Sequence, residues 1–318
     1  MTMLDTTGWP TDGLAHEGFF YGDQRHLLDG MVPFIAEGLA GGEPVLVALP
    51  TANLALVRDA VGEAPGLHWT DMGEAGRNPG AILPWVLQAF VDRHPGGRTR
   101  IVGESVWSGR SDAEYGACAQ HEALVNAALA ERGVSLLCPY DAGRLAEAVL
   151  ADACATHPVI VGPQGRRPSV GFAPSDVLVR YNQPLPAPAH PVAALDYALD
   201  TLPEVRRFVT GYAETAGLDA GRVADLQIAV TELAANSITH AAGAGTLLVW
   251  CTDEDLVCEV RDDGWLADPL AGRLAPAPDG VGGRGLVIVH ALCDLVLLHS
   301  TAAGTMVRLH MRRRRGQR

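Results

Sequence analysis

Four short apolar runs constrain the first half of this chain: PVLVALP (44–50), LHWTDM (67–72), RIVGES (100–105) and SLLCPYD (135–141). Helical patterns separate them, over 27–39, 52–61, 81–93 and 113–132. A strand buried on both faces reads as a continuous apolar run. Strands that alternate with helices pair in parallel, because each crossover helix returns the chain to the same end of the sheet. The pattern predicts a doubly wound, mainly parallel α/β sheet with helices on both faces.

Residues 162–191 break this rhythm. They hold seven of the 21 prolines, and proline at that density stops helices and stiffens an extended chain. The division expected is a first domain over 1–161, a proline-rich linker over 162–191 and a second domain over 192–318. Leu195, Leu199, Leu202, Val205, Phe208, Val209 and Tyr212 keep a helical period, with Pro203 as a break or a helix start. A second helix is predicted from Asp219 to Ala241. Strands follow over 245–252 and 255–263, then a Gly/Pro-rich loop over 264–283, a helix over 284–294 and a hairpin of 295–301 with 305–311. Helices with an antiparallel or mixed sheet imply a two-layer α/β sandwich.

The net charge is −13, which disfavours direct nucleic-acid binding. The basic run Arg312–Arg315, with Arg318, reads as a solvated end. All 24 basic side chains are arginine, so a phosphate loop of the GxxxxGK[ST] type is impossible. Any nucleotide here must be held by arginine, backbone N–H groups or a metal. The six cysteines form no CxxC pair and no zinc spacing, and they read as small buried side chains in a reducing compartment. Neither a signal pattern nor a membrane-length apolar run is present, so a soluble, cytoplasmic protein is expected.

Three short motifs in the second half carry chemistry. In ELAANSITHA (232–241), Glu232 and Asn236 lie four residues apart on one helix face, in line with Ile228 and His240. Asn is an oxygen ligand for a hard cation, and Glu accepts a proton. The same spacing occurs in solvated helices. In VRDDG (260–264), strand alternation places Leu256, Cys258, Val260 and Asp262 on one face, so Asp262 is the carboxylate expected to point inward. It there needs a donor such as the amino group of a base, or it merely ends the strand in an Asp-Gly turn. In VGGRGLVIVH (281–290), glycines precede a helix N-terminus, where unpaired N–H groups suit an anion and Arg284 adds a forked donor.

The order of these motifs resembles the GHKL ATPase superfamily, the Bergerat nucleotide fold, over about residues 193–311. It is most similar to the anti-sigma factor branch, the serine-protein kinases of partner-switching systems, in ELAANSITHA and in Gly304-Thr305 opening the last strand. The resemblance implies ATP and Mg²⁺ as cofactors. Glu232 would be the general base and Asn236 the Mg²⁺ ligand. Asp262 would bond the adenine amino group, with Gly264 approaching the base closely. Gly282, Gly283, Arg284 and Gly285 would line the phosphates, Thr305 would sit near the adenine, and residues 265–281 would form a lid with Pro269, Pro276 and Pro278. The implied partners are a sigma factor and a STAS-type anti-anti-sigma antagonist, and homodimers are common in this branch. Where many members read Asp-x-Gly-x-Gly, this chain has Leu266 at the second glycine. A binding protein with a silent nucleotide site is therefore the alternative. A sensor-kinase-type ATPase would need a phosphoaccepting histidine on an upstream helix, and His190 is followed by Pro191.

In the first half, HEGFFYGD (16–23), GEPVLVALP (42–50), RIVGESVW (100–107), CAQHEALVN (118–126) and LLCPYD (137–141) together resemble the MEDS sensory domain, which implies a RecA-like α/β fold. PTANLA, after what reads as the first strand, holds no Gly-Lys, so ATP is not expected here. Glu104, Tyr140 and Asp141 fall at strand ends, where open α/β sheets bind ligands. They form a candidate pocket for an unknown small-molecule signal with His121, although Glu104 and Asp141 also suit helix capping. His121 and Glu122 are adjacent, so at most one is expected to face a pocket.

Overall fold

The structure, a computed structural model, describes residues 13–275 and 283–313, in two compact units that divide between Tyr181 and Asn182. Gly282, lid positions 276–281 with Pro276 and Pro278, and Arg314, Arg315 and Arg318 lie outside the described residues. Among the described residues, no helix is long and apolar enough to cross a membrane.

The first unit runs β1 (Leu14–Tyr21), α1 (Gln24–Ala40), β2 (Val45–Leu49), α2 (Thr51–Val61), β3 (Leu67–Asp71) and the single turn α3 (Met72–Ala75). A helix then passes through α4 (Pro79–Ile82), a π segment over Leu83–Gln88, where Pro84 lacks an amide donor, and α5 (Ala89–Asp92). β4 (Thr99–Gly103), α6 (Asp112–Ala128), β5 (Val134–Asp141), α7 (Glu147–Thr156), β6 (Val159–Gly162), β7 (Gly165–Pro168) and α8 (Pro174–Tyr181) complete it. The sheet order is β3-β2-β4-β5-β1-β6-β7, parallel throughout except for β7. Strand alternation sorts the core. Phe19, Tyr21, Val45, Val47, Leu49, Val102 and Leu137 pack with α1 and α2 in one cluster. A fully buried side chain of this size contributes about 1.5–3 kcal/mol.

Two expectations change here. The first strand is β1, in mid-sheet between β5 and β6, and PTANLA follows the second. The turn after β1 is Gly22-Asp23, where Asp23 caps α1 through His26 N, so that crossover holds no phosphate loop either. Residues 162–191 are not a uniform linker. Arg166 on β7 pairs with Glu17, and Val177 on α8 is fully buried. Pro168 closes an edge strand and Pro174 opens a helix, both tolerated positions.

The second unit runs β8 (Ala193–Ala198), α9 (Leu202–Thr215), α10 (Ala220–His240), β9 (Ala244–Cys251), β10 (Asp255–Asp262), α11 (Gly285–Leu292), β11 (Leu295–Thr301) and β12 (Gly304–Arg312). All its strand pairs are antiparallel, in the order β11-β12-β10-β9-β8. Val205, Val209, Leu226, Val230 and Leu233 from the helices interlock with Leu247, Val249, Leu256, Cys258, Val260 and Leu309 from the sheet. The result is a two-layer α/β sandwich. Leu195 belongs to strand β8 rather than to a helix, because pairing with β9 and burial of Tyr197 set a period of two. Pro203 starts α9. Strand β10 is buried on both faces: Glu259, fully enclosed, accepts from Arg308 Nε at 2.6 Å and from Arg261 Nε at 2.6 Å.

Candidate functional site

Helix α10 forms one wall of the site. Asp219 accepts from Arg222 N at 3.0 Å and caps it, and Val223, Leu226, Val230 and Leu233 hold it on the sheet. That anchoring leaves Glu232 and Asn236 half-buried on its flank. The start of α11 comes up against them. A Cβ on Gly285 would lie 2.8 Å from Glu232 Oε2 and 3.4 Å from Asn236 Nδ2, so only glycine lets the two helices meet there. Arg284 is the N-cap residue of α11, its side chain does not cap the helix, and it is exposed.

Strand β10 delivers Asp262 to the same place. Its Oδ1 accepts from Gly264 N at 2.8 Å, the turn expected of Asp-x-Gly, and its Oδ2 accepts from Ser237 Oγ at 2.6 Å. Ser237 Oγ in turn accepts from Tyr197 OH at 3.0 Å, and burial raises that phenol to about 12. Each carboxylate oxygen has two lone pairs, so Asp262 retains acceptor capacity toward a ligand. A Cβ on Gly264 would lie 2.9 Å from both Ala241 Cβ and Asp262 Oδ1. A second relay fixes the turn. Leu266 N donates to Ser300 Oγ at 2.8 Å, Ser300 Oγ donates to Thr305 Oγ1 at 2.7 Å, and Thr305 Oγ1 donates to Gly264 O at 2.8 Å.

These elements enclose a cavity of about 500 Å³. Asn236, Asp262, Gly264, Gly283, Gly285 and Thr305 line it, together with His240 and Trp265, and Glu232 stands beside it at Gly285. Arg284 is not among the lining residues. Residues 265, 266, 268, 270–272, 274 and 275 of the loop after β10 form one side. Leu233, Val260, Leu286, Leu298 and Val307 give an apolar floor, so the cavity pairs a flat greasy slot with a few polar groups, the usual make-up of a small-molecule site. The donor set fits a nucleotide with its metal: the carboxylate of Asp262 and the side-chain amide of Asn236 line the slot above its apolar floor. Ser237, Tyr197 and Ser300 were missed in the sequence. Ser237 follows Asn236 directly, and its place on the buried side of α10 is the signal that could have found it.

In the first unit the candidate pocket residues separate into two groups. Glu104 is 1% exposed and accepts from Asn53 Nδ2 at 2.8 Å, and the same amide donates to Tyr21 OH at 3.2 Å. Burial raises Glu104 to about 8, with Asp141 adding to the shift. Glu104 caps no helix, since Ser111 caps α6. Asp141 Oδ1 accepts from Gly143 N at 3.0 Å. The other group surrounds α6, which is buried nearly all round. His121 and Glu122 are therefore both enclosed, and both line a void of about 10 Å³, contrary to the expectation that only one would. Tyr140 is buried with its ring edge-on to His157, 5.5 Å between centroids.

Residues 15–158 match the family described as MEDS, the methanogen/methylotroph, DcmR sensory domain, and residues 195–311 match the histidine kinase-like ATPase domain. No curated protein matches the chain. Among solved structures, the RsbU and RsbW domains of a Mycobacterium tuberculosis protein are similar at 20% identity and a TM-score of 0.31. That match covers 40% of this chain and 34% of the other, so the chain spans about a third of the length of that structure.

Proposed function

We propose that this chain, which joins a MEDS sensory domain to a histidine kinase-like ATPase domain, is a partner-switching regulator that binds ATP with Mg²⁺ in its second unit. In this reading it is an anti-sigma factor that phosphorylates a serine or threonine of a STAS-type antagonist, under the control of its first domain. The observation that carries the nucleotide reading is the convergence of Asn236, Asp262, Gly264, Gly283, Gly285 and Thr305 on one cavity, with Glu232 at its edge. The anti-sigma reading rests on the resemblance of ELAANSITHA and Gly304-Thr305 to that branch.

The roles follow from the chemistry of each group. Asp262 accepts from the amino group of adenine, held for that by Ser237 and Gly264 N. Asn236 would offer a neutral oxygen to Mg²⁺, and the metal would supply the charge neutralisation that lysine gives elsewhere. The first-turn amides of α11 would hold the phosphates, and Gly283, at φ +76°, has the backbone freedom that such a turn needs. Glu232 takes the proton of the attacking hydroxyl as its oxygen bonds to the γ-phosphorus. The bond from that phosphorus to the β–γ bridging oxygen breaks, and ADP leaves.

A second reading, sequestration of sigma without transfer, is favoured by Leu266 at the second glycine's place, its amide tied to Ser300 Oγ. Radiolabel transfer from ATP to the antagonist separates the two. Glu232→Ala is expected to keep nucleotide affinity and lose transfer by about 10²–10⁴-fold. A wild-type chain that binds nucleotide but labels nothing supports sequestration, and a Glu232→Ala chain with normal transfer removes Glu232 as the base.

A further inference from the structure

The first unit holds a second concentration of chemistry, in none of the nucleotide machinery. His16 on β1, Glu122 on α6, Cys138 on β5 and His157 at the end of α7 each bring one ligand atom to a point, and these four atoms lie within 4.8 Å of one another. All four residues are at most 3% exposed. We propose that they form a closed binding site for one divalent transition-metal ion of the zinc class.

The first argument is geometric. Bond lengths of about 2.0–2.3 Å in a tetrahedron set donor–donor edges at about 3.3–3.6 Å. His16 Nε2 lies 3.4 Å from Glu122 Oε2 and 3.5 Å from Cys138 Sγ, and His157 Nε2 lies 3.5 Å from Glu122 Oε2. The two nitrogens, one sulfur and one carboxylate oxygen are a ligand set for zinc.

The second argument comes from hydrogen placement. His157 Nδ1 lies 2.8 Å from Ala153 O, which can only accept, so that nitrogen carries the hydrogen. In the tautomer with its one hydrogen on Nδ1, the ring turns the Nε2 lone pair to Glu122 Oε2 at 3.5 Å, and neither atom has a hydrogen-bond partner. His16 repeats the pattern. Asn126 Nδ2 donates to Thr156 O at 2.8 Å, which turns its Oδ1 toward His16 Nδ1 at 3.1 Å. His16 Nδ1 then holds the hydrogen, and its Nε2 lone pair faces the same centre. Imidazole lone pairs, a thiol sulfur and a carboxylate oxygen turned to one point make a centre that a cation suits. Outer partners that fix a histidine tautomer in this way are the usual support of a metal ligand.

The third argument is charge and space. One carboxylate, one thiolate and two neutral imidazoles carry two negative charges, which a divalent ion cancels, so the loaded site is neutral where burial of net charge is costly. Cys138 gives up its proton on binding. Gly18 makes the room: it stands opposite Cys138 across β1 and β5, and a Cβ there would lie 3.3 Å from His157 Cγ. Glu122 is steadied by Ser105 Oγ on its other oxygen. The adjoining void of about 10 Å³ holds no more than about one water, so four protein ligands close the site in the manner of structural metal centres. The ion would tie together β1, β5, α6 and the end of α7.

The test is Co²⁺ titration of the chelator-treated full chain without nucleotide, read by absorption and by thermal unfolding. Expected are one equivalent bound per chain, tetrahedral d–d bands, a thiolate-to-cobalt charge-transfer band, displacement by Zn²⁺ and a raised melting temperature. Cys138→Ser should abolish the charge-transfer band, whereas Cys154→Ser should keep it. Asn126→Ala, which leaves all four ligands in place, should weaken Co²⁺ binding about 10–100-fold. Should Cys138→Ser not fold, Asn126→Ala carries the comparison. A folded wild-type chain that takes up no stoichiometric Co²⁺, a charge-transfer band that survives Cys138→Ser, or wild-type affinity in Asn126→Ala would each overturn the proposal. None of these outcomes bears on the nucleotide cavity.

Discussion

Asp262 owes its place to Ser237, a residue with no chemistry of its own to perform. Ser237 gives its one proton to Asp262 and takes one from Tyr197. Ser237→Ala leaves the buried tyrosine hydroxyl unpaired, at a cost of about 1–3 kcal/mol in stability. It also frees the carboxylate to turn, so ATP should lose its preference over GTP in competition binding, and an unchanged preference would remove Asp262 as the base reader. In the first unit, Glu104 sets a pH dependence. It faces Asn53, Tyr21 and Asp141, and its value of about 8 stands well above the ordinary 4.5. Between these values the folded chain holds a proton that the unfolded chain has released. The stability from this residue is whole below about pH 4.5 and is lost as pH rises through 8, at about 1.4 kcal/mol per unit at most. Glu104→Gln stays neutral, so its melting temperature should exceed that of wild type by more at pH 9 than at pH 6. Equal shifts at the two values would mean that Glu104 ionises normally.

The meeting of α10 and α11 depends on the absence of one carbon. Gly285→Ala places a methyl against Glu232 Oε2, so nucleotide binding should fall by at least about tenfold while far-ultraviolet circular dichroism stays native. Native affinity in that variant would mean that the start of α11 is not at the phosphates. The loop after β10 offers an optical probe. Trp265 is 63% exposed and lines the cavity, so ATP should change tryptophan fluorescence in wild type and not in Trp265→Phe. Elements of this kind were legible where their signal is local. The apolar runs became strands β2–β5, an Asp-x-Gly turn ends β10, and Gly283 precedes α11. What was not legible depends on partners distant in the chain. Leu195 kept a helical spacing by coincidence, and only β9 makes its segment a strand. The Ser300–Thr305–Gly264 relay joins two strands and a turn. The cluster of His16, Glu122, Cys138 and His157 has no spacing to read, because four separate elements supply it.

At the scale of the molecule, two units with different architectures lie in one chain, a mainly parallel seven-stranded sheet and an antiparallel five-stranded one. The absence of lysine shapes the second. On the proposed reading its nucleotide would be held by Mg²⁺, glycine-rich backbone and a helix end, since Arg284 does not line the cavity, so binding should depend on the metal more steeply than in a lysine-bearing site. Calorimetric titration of ATP into the full chain tests this most directly, in Mg²⁺ and in chelator, for wild type and Asn236→Ala. The account predicts one ATP per chain in Mg²⁺, and affinity lost by at least about a hundredfold in chelator and in Asn236→Ala alike. A wild-type chain that takes up no ATP in Mg²⁺, or an Asn236→Ala chain that binds as wild type does, would contradict it.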